Sequence, residues 1–348
     1  MFNKILSESE THDFLALIQG AENIVVTCHV SPDGDAMGAL LAFSHYLWRK
    51  GKKAIPVVPN IFPDFLKWMP GTDQVRVYEK HEEELDEVLK DADLFVCLDY
   101  NEPSRLLGLE KPVMASNAPK LMIDHHLNPA DFCKWVLSRH EMSSTCELLF
   151  RVLADVDGVE NITNEEATCL YTGMMTDTGC FAYNSNRSDI YYIVGRLLEK
   201  GIDKDKIYRN VFYNYSADRL KLMGYMLYVK LELFPEYHAS LMTLTREEQR
   251  RFSHKKGDTE GIVNMPLQIN KSKLSVFLRE DTERKVIRVS MRSVDDFPCN
   301  KMAAEFFNGG GHLNAAGGEL TCSMEEAEQL VRVALKKYAA LLTGKCKN

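Results

Sequence analysis

No run in this sequence stays apolar for the ~18–20 residues that a bilayer-spanning helix needs. A basic-then-apolar leader is missing as well, because MFNKILSESETHDF turns polar almost at once. Cysteine occurs nine times, an odd number, scattered and without a C-x-x-C pair. That usage argues against a disulfide framework or a zinc ribbon and fits a reducing compartment. Gly/Ser/Pro-rich linkers, internal repeats and low-complexity tracts are all lacking, so the chain reads as packed domains. The expectation is a soluble cytoplasmic protein without a membrane segment.

What is present is 348 residues, 45% hydrophobic and 26% charged, enough for two domains or one large one. The net charge of −8 is unevenly spread. Residues 1–186 carry 15 Lys+Arg against 29 Asp+Glu, and residues 187–348 carry 27 against 21. An acidic half would suit a bound cation and a mildly basic half an anionic substrate. Chance asymmetry between solvated faces gives the same count.

The richest stretch is IVVTCHVSPDGDAMG, residues 24–38. Ile24-Val25-Val26-Thr27 predicts a strand buried on both faces. His29, Asp33 and Asp35 follow directly, with Pro32 and Gly34 tightening the turn, and a helical segment runs from Ala39 to Trp48. One imidazole and two carboxylates at the exit of a buried strand repel or neutralise one another unless a cation holds them. An Asp-rich turn with a helix-capping Asp is an equal reading of this stretch alone. A calcium loop is not, since Met37 and Ser44 stand where ligands belong.

Two more predicted strands end the same way. Leu94–Leu98 is closed by Asp99, and Leu121–Ile123 by Asp124-His125-His126. A further strand is predicted at 54–59, and helices at 5–20, 79–93, 143–155 and 164–176, the last closed by Asp177. Strands alternating with helices predict a mostly parallel α/β sheet, whose ligands bind beyond the carboxyl ends of its strands. Three strand exits with metal-type side chains on one edge point to a site. Asp177, opposed there by its helix dipole, would need a positive partner; an Asp in an ordinary turn is the plainer reading of it.

Residues 187–230 read as a helical connector. Beyond it HASLMTLT, KLSVFLRE and KVIRVSMRS alternate as antiparallel strands do, followed by FFNGGGHLNAAGGEL and a helix over 324–342. The reading is therefore three parts: residues 1–186 as a parallel-sheet α/β domain, the connector 187–230, and a smaller α+β domain over 231–348. The inventory His29, Asp33, Asp35, Asp99, His125 and Asp177, with His126 beside it, suits Mn²⁺, Mg²⁺ or Co²⁺ better than structural zinc. It is large enough for two ions sharing a carboxylate, a known device for phosphoryl chemistry. In the second half Arg292, and the backbone of Gly309, Gly310 and Gly311 ahead of His312, form a candidate anion cradle; a flexible turn is the simpler reading of the glycines.

HVSPDGDAMG, the Asp of CLDYNEPSRL, IDHH and MMTDTG resemble, in order, the four motifs of the DHH phosphoesterases. VSMRS and NGGGHLNAAGG resemble the motifs of their DHH-associated second domain. The chain length and DTEGIVN at 258–264 look most like the bifunctional oligoribonuclease and 3′-phosphoadenosine-5′-phosphate (pAp) phosphatase branch, called NrnA-like. The resemblance implies two divalent ions, Mn most of all, the first on His29, Asp33 and Asp99. The second would sit on Asp35, Asp99, His125 and Asp177, with Asp99 bridging. It further implies catalytic roles for Asp99, for Asp124 as an orienting group and for His126 at the scissile phosphate or leaving oxygen. Arg292, His312 and the glycine run would hold the substrate, and Arg105 would contact phosphate or form a surface salt bridge. Ala39 and Asn308 depart from residues frequent in the family, but neither is a ligand.

The implied substrates are RNA of two to five nucleotides, linear dinucleotides such as pApA, and pAp, with the metals in one domain and the anion contacts in the other. A homodimer is compatible with this. The alternatives within the family are a soluble cyclic-dinucleotide phosphodiesterase and a RecJ-type single-strand exonuclease. Outside enzymes, the alternative is a non-catalytic nucleotide-binding protein, which would be expected to have lost ligands that are all present here.

Overall fold

The buried apolar runs become strands in the computed structural model, which describes residues 4–213, 215–255 and 257–344. The chain divides into two compact units, residues 1–214 and 215–348. The boundary falls inside the 187–230 stretch.

In the first unit a six-stranded, wholly parallel sheet is built from β1 (Asn23–Cys28), β2 (Lys53–Val58), β3 (Arg76–Val77), β4 (Leu94–Leu98), β5 (Lys120–Asp124) and β6 (Trp135–Ser138). Their order is β3-β2-β1-β4-β5-β6. The winding reverses between β1 and β4, and at such a switch point two strand exits diverge and leave a crevice. Helices α1 (Glu8–Gly20), α2 (Gly34–Arg49), α3 (Glu82–Lys90), α4 (Glu110–Ala115), α5 (Thr145–Asp157), α6 (Asn164–Asp177), α7 (Ser188–Leu198) and α8 (Lys204–Phe212) complete the unit. Both faces of β1 are covered, which is why it reads as an unbroken apolar run. Ile24 and Val26 join the core beneath α2, α5 and α6, while Val25 joins Leu85, Leu89 and Val113 of α3 and α4. The sequence reading did not predict β3 or β6; β3 has only two residues, and β6 alternates buried with exposed over four.

Helices α2 and α6 approach closely at glycines. A Cβ on Gly38 would lie 2.7 Å from the Cys169 carbonyl oxygen, and one on Gly173 would lie 2.2 Å from Cys146 Sγ and 2.8 Å from Asp35 Oδ1. Only glycine lets the start of α2 and the last turns of α6 come together at van der Waals distance. Thr163 opens α6 with a full capping box to Glu166.

The second unit begins with α9 (Ala217–Tyr225) and holds a mixed six-stranded sheet. Its strands are β7 (Glu232–Phe234), β8 (Ala239–Leu244), β9 (Leu274–Glu280), β10 (Ile287–Ser293), β11 (Gly310–His312) and β12 (Ala315–Leu320), ordered β11-β12-β10-β9-β8-β7. Helices α10 (Arg246–Arg251), α11 (Cys299–Phe306), α12 (Met324–Lys337) and α13 (Ala339–Thr343) accompany it, so the predicted last helix is broken at Tyr338. The expectation of antiparallel strands holds for β9–β10 and β10–β12 but fails for β8–β9, which pair in parallel. All six residues of β8 are buried, so β8 is an internal strand without real alternation. Residues 245–273 make the crossover that parallel pairing needs, and Ile262 and Val263 on it pack against Met242, Leu244 and Phe277. Among the described residues no helix is long and apolar enough to cross a membrane.

Candidate metal centre

β1, β4 and β5 lie side by side, and their carboxyl ends deliver His29, Asp99 and His125 to one place. Asp33 arrives as the N-cap of α2, Asp35 on its first turn, and Asp177 as the last residue of α6. Asp99 has φ of 64°, a left-handed conformation that Asp tolerates better than most residues. It turns the chain sharply at the strand end and keeps the carboxylate at the edge of the sheet.

The ligand-type atoms fall into three groups, each within 4.8 Å: His29/Asp33/Asp99, Asp35/His125/Asp177 and Asp99/His125/His126. Asp99 belongs to two of them. Its Oδ2 lies 3.4 Å from His29 Nε2, and its Oδ1 lies 3.6 Å from His125 Nε2. Each carboxylate oxygen thus addresses one side of the cluster. His29 Nε2 is also 3.8 Å from Asp33 Oδ1, and His125 Nε2 is 4.0 Å from Asp35 Oδ2 and 3.6 Å from Asp177 Oδ2.

The imidazole orientation carries the metal argument. His29 Nδ1 lies 2.8 Å from the Val30 carbonyl oxygen, and His125 Nδ1 lies 3.3 Å from that of Met142. A carbonyl only accepts, so each Nδ1 carries a proton, and Nε2 is the ring atom turned toward the carboxylate oxygens. Nε2 facing a carboxylate oxygen needs a proton or a metal ion between the two, and a backbone carbonyl on the far nitrogen is the usual support of a metal-binding histidine. The donor set therefore fits hard divalent ions.

Electrostatics agree. Asp35 is buried, and burial, with Asp99, Asp177 and Asp33 nearby, pushes its carboxyl well above the usual range. It does so although two backbone N–H groups, those of Thr145 and Cys146, donate to its oxygens. Burial, reinforced by Asp99 and Asp33 against the opposing His125, lifts Asp177 to about 6. Burial also works to raise Asp99, but the hydrogen bond and charge of His29, with His125 and His126, hold it below its ordinary value. An excess of carboxylates that cannot all ionise unaided is the state a cation relieves.

Asp124 is fully buried, and its Oδ1 accepts from His126 Nδ1 at 2.7 Å while its Oδ2 accepts from the His126 N–H at 3.0 Å. Burial would lower His126, but the Asp124 hydrogen bond and the charges of Asp99 and Asp124 raise it on balance. The ring is only partly buried. Arg105 lies nearby: its carbonyl accepts from the Val30 N–H at 2.7 Å, its charge is felt by His126, and among the described residues it has no ion pair.

Sequence reasoning predicts the helix over 143–155 but overlooks what the start of α5 does at the site. Thr145 Oγ1 donates to Asp99 Oδ1 at 2.8 Å, and the first backbone N–H groups of α5 grip Asp35, so a helix N-terminus supports the carboxylate from behind. The signal was there, since Ser144 and Glu147 have the S-x-x-E spacing of a helix start, and Ser144 Oγ accepts from the Glu147 N–H. Below it, buried Glu147 accepts from Ser143, Arg151 and Arg187, fixing the turn that presents the Met142 carbonyl to His125.

In the second unit, Arg292 of β10 is in register with Ala315 of β12, which is in register with His312 of β11. Arg292 and His312 therefore share a sheet face with a small residue between them. Burial lowers Arg292, and among the described residues it has no carboxylate partner; its guanidinium donates to the Met291 carbonyl. The glycine run is an edge strand as well as a candidate cradle. A Cβ on Gly309 would lie 1.8 Å from the Gly317 carbonyl oxygen and one on Gly311 2.4 Å from that of Ala315, whereas Gly310 faces open space.

Comparison with known proteins matches the model of the DHH family, N-terminal domain, over residues 23–174 and that of the DHHA1 domain over residues 242–341. The bifunctional oligoribonuclease and PAP phosphatase NrnA of Thermus thermophilus is 29% identical over 317 residues, covering 90% of this chain and 89% of that one. The crystal structure of an exopolyphosphatase-related protein from Bacteroides fragilis is 49% identical with a TM-score of 0.95, covering 98% of this chain and 100% of that one. RecJ from Thermus thermophilus in complex with Mn²⁺ shares the fold at 12% identity and a TM-score of 0.56, covering 98% of this chain and 56% of that one.

Proposed function

The chain belongs to the DHH family of phosphoesterases, and from that membership we propose that it hydrolyses short oligoribonucleotides, two to five nucleotides long and including pApA, to mononucleotides, and takes the 3′-phosphate from pAp to leave AMP. The carrying observation is the doubled ligand cluster sharing Asp99, with histidine Nε2 atoms aimed at carboxylates. The NrnA relative aligned along most of both chains supports the substrate class.

In this reading His29, Asp33 and Asp99 hold one divalent ion, and Asp35, Asp99, His125 and Asp177 the other. Manganese is the proposed metal, with magnesium and cobalt as alternatives. Bound there, such ions supply a water of lowered pKa and positive charge for the phosphoryl oxygens. The protein's own groups do the rest. Asp124 fixes the His126 ring through Nδ1, leaving its Nε2 proton for the departing oxygen. Thr145 holds Asp99 in place. Arg292 and His312 bind an anionic part of the substrate, Arg292 as a half-buried cation without a carboxylate partner among the described residues, with the open backbone of Gly310 two residues before His312 on β11. The eight cysteines within the described residues are free thiols, which suits the cytoplasm.

The test is one assay panel: purified protein with Mn²⁺, given pAp, pApA, a five-nucleotide RNA, a thirty-nucleotide RNA, a cyclic dinucleotide and pyrophosphate. The expected result is fast turnover of the first three and slow turnover of the rest. Equal rates on the five- and thirty-nucleotide RNAs would overturn the proposal in favour of a long-strand exonuclease.

A further inference from the structure

Directly after Asp177 the backbone does something costly. Gly179, Cys180 and Phe181 have φ of 54°, 60° and 63° in succession, a left-handed turn in which two of three residues carry a Cβ. Each non-glycine residue there is strained, and such strain persists only where the surroundings over-determine it, typically at ligand sites.

The surroundings do over-determine it. Thr178 is buried; its Oγ1 donates to the Met174 carbonyl and accepts from the Phe181 N–H. The Phe181 carbonyl accepts from Ser185 Oγ, and the Phe181 ring is wedged between Tyr171 and Tyr191 at centroid distances of 5.9 and 6.2 Å. The N–H groups of Ala182 and Tyr183 both return to the Thr178 carbonyl. With Phe181 pinned inward, the turn presents Tyr183 outward.

Tyr183 is 70% exposed, and among the described residues its hydroxyl makes no hydrogen bond. Its ring is nevertheless placed: its Cδ2–Cε2 edge lies against Gly179, where a Cβ would sit 2.7 Å from Cδ2, and its faces are left open. Gly179 is thus required twice, for its φ and for the ring edge beside it. One residue separates it from Asp177, so the ring lies on the order of 10 Å from that carboxylate, the span between a nucleotide's phosphate and its base. A lone exposed tyrosine needs no explanation; one held on a strained turn next to a metal-type cluster does.

We propose that Tyr183 is a stacking platform for a nucleobase of the substrate, the base belonging to a nucleotide whose phosphate lies at the metal cluster. The inference rests on the nucleotide reading of the site and adds its base contact. Stacking uses the ring face and not the hydroxyl, so every base is accepted and the site gains no sequence preference from it.

Kinetics on pApA and its two singly abasic analogues test this, beside a titration of 2-aminopurine riboside 5′-monophosphate with Mn²⁺ present. In Tyr183→Ala the preference for adenine over the abasic analogue at one position should fall about tenfold. Tyr183→Phe should keep it within about twofold, as expected for stacking through the ring face. Melting temperature and Mn²⁺ affinity, which a merely structural role would move, should match the parent in both variants. Quenching of the 2-aminopurine should be present in the parent and in Tyr183→Phe, and lost in Tyr183→Ala. An unchanged preference in Tyr183→Ala, or equal loss in Tyr183→Phe, overturns the platform. A parent that leaves pApA intact overturns the nucleotide substrate instead, and the quenching measurement then decides the platform by itself.

Discussion

Asp35 Oδ2 accepts a hydrogen bond of 2.6 Å from the backbone N–H of Thr145, a residue 110 positions away. The two belong to helices that start at the same edge of the sheet and point their positive ends toward it. A buried carboxylate is thereby held in the fold by the dipole of a second helix.

Asp99 is the shared member of the cluster. Asp99→Ala should abolish turnover and lower the number of Mn²⁺ ions bound in calorimetry, while the circular dichroism spectrum stays that of the parent. A folded variant retaining the parent rate would remove the shared-carboxylate reading.

Acid should release the metal. Asp177 titrates at about 6 in the metal-free fold, against about 3.9 unfolded. Between those values the folded state binds more protons, so this group makes metal-free stability fall as pH rises through that window. Asp35 is raised too and acts in the same sense. Metal binding needs both as carboxylates, so Mn²⁺ affinity should weaken below about pH 6, with protons released on binding. Calorimetry at about pH 5.5 and about pH 7.5, in two buffers of different ionisation enthalpy, measures both. Affinity independent of pH would contradict it.

Gly173→Ala places a methyl group against Cys146 Sγ and Asp35 Oδ1. Overpacking of this kind costs about 1–3 kcal/mol, and here it also forces α6 from α2. Both the thermal midpoint and Mn²⁺ affinity should fall. A stability loss with unaltered affinity would mean that the α2–α6 spacing does not govern the ligand geometry.

Glu147→Ala removes the fully buried carboxylate that Arg151 and Arg187 share, while Arg151 keeps Asp189. The loss in denaturant unfolding should therefore be clear but smaller than the about 3–5 kcal/mol of a fully orphaned buried charge. Because the same carboxylate holds Ser143, the surviving folded protein should also show a weakened His125 site.

Arg292→Ala should leave Mn²⁺ affinity unchanged, since no proposed ligand lies in the second unit. The lost charge-assisted contact, about 1.5–3 kcal/mol, corresponds to roughly a ten- to hundredfold fall in kcat/KM. A collapse of metal affinity with normal kinetics at saturating Mn²⁺ would reverse the assignment.

The parts of the site that sequence makes legible are those with both a strand signal and an unusual ending. Ile24–Thr27 followed by His29, Leu94–Leu98 followed by Asp99, and Leu121–Ile123 followed by Asp124-His125-His126 announce one sheet edge because burial forces long apolar runs on central strands. Asp177 was ambiguous alone, since a helix-end Asp is common; only the glycine crossing of α2 and α6, a long-range contact, brings it to Asp35. The grip of Thr145 and Cys146 on Asp35 uses backbone N–H groups, which every residue type but proline carries and no side-chain pattern reveals. The parallel partner of β8 was missed for a related reason, because alternation reports which face is buried and says nothing of strand direction.

That parallel pair has a consequence for how the second unit comes into being. β9 and β10 are joined by a short connection, Asp281 to Val286, and can zip as a hairpin as soon as both exist. β8 leaves the ribosome before either, yet its partner edge on β9 appears only after residues 245–273 have been made and looped back. Closing that loop costs entropy before any pairing offsets it. β8, buried on both faces and offered early only the three-residue β7, is therefore made before its main partner and seated late, and in the interval it is a segment in need of a chaperone's cover.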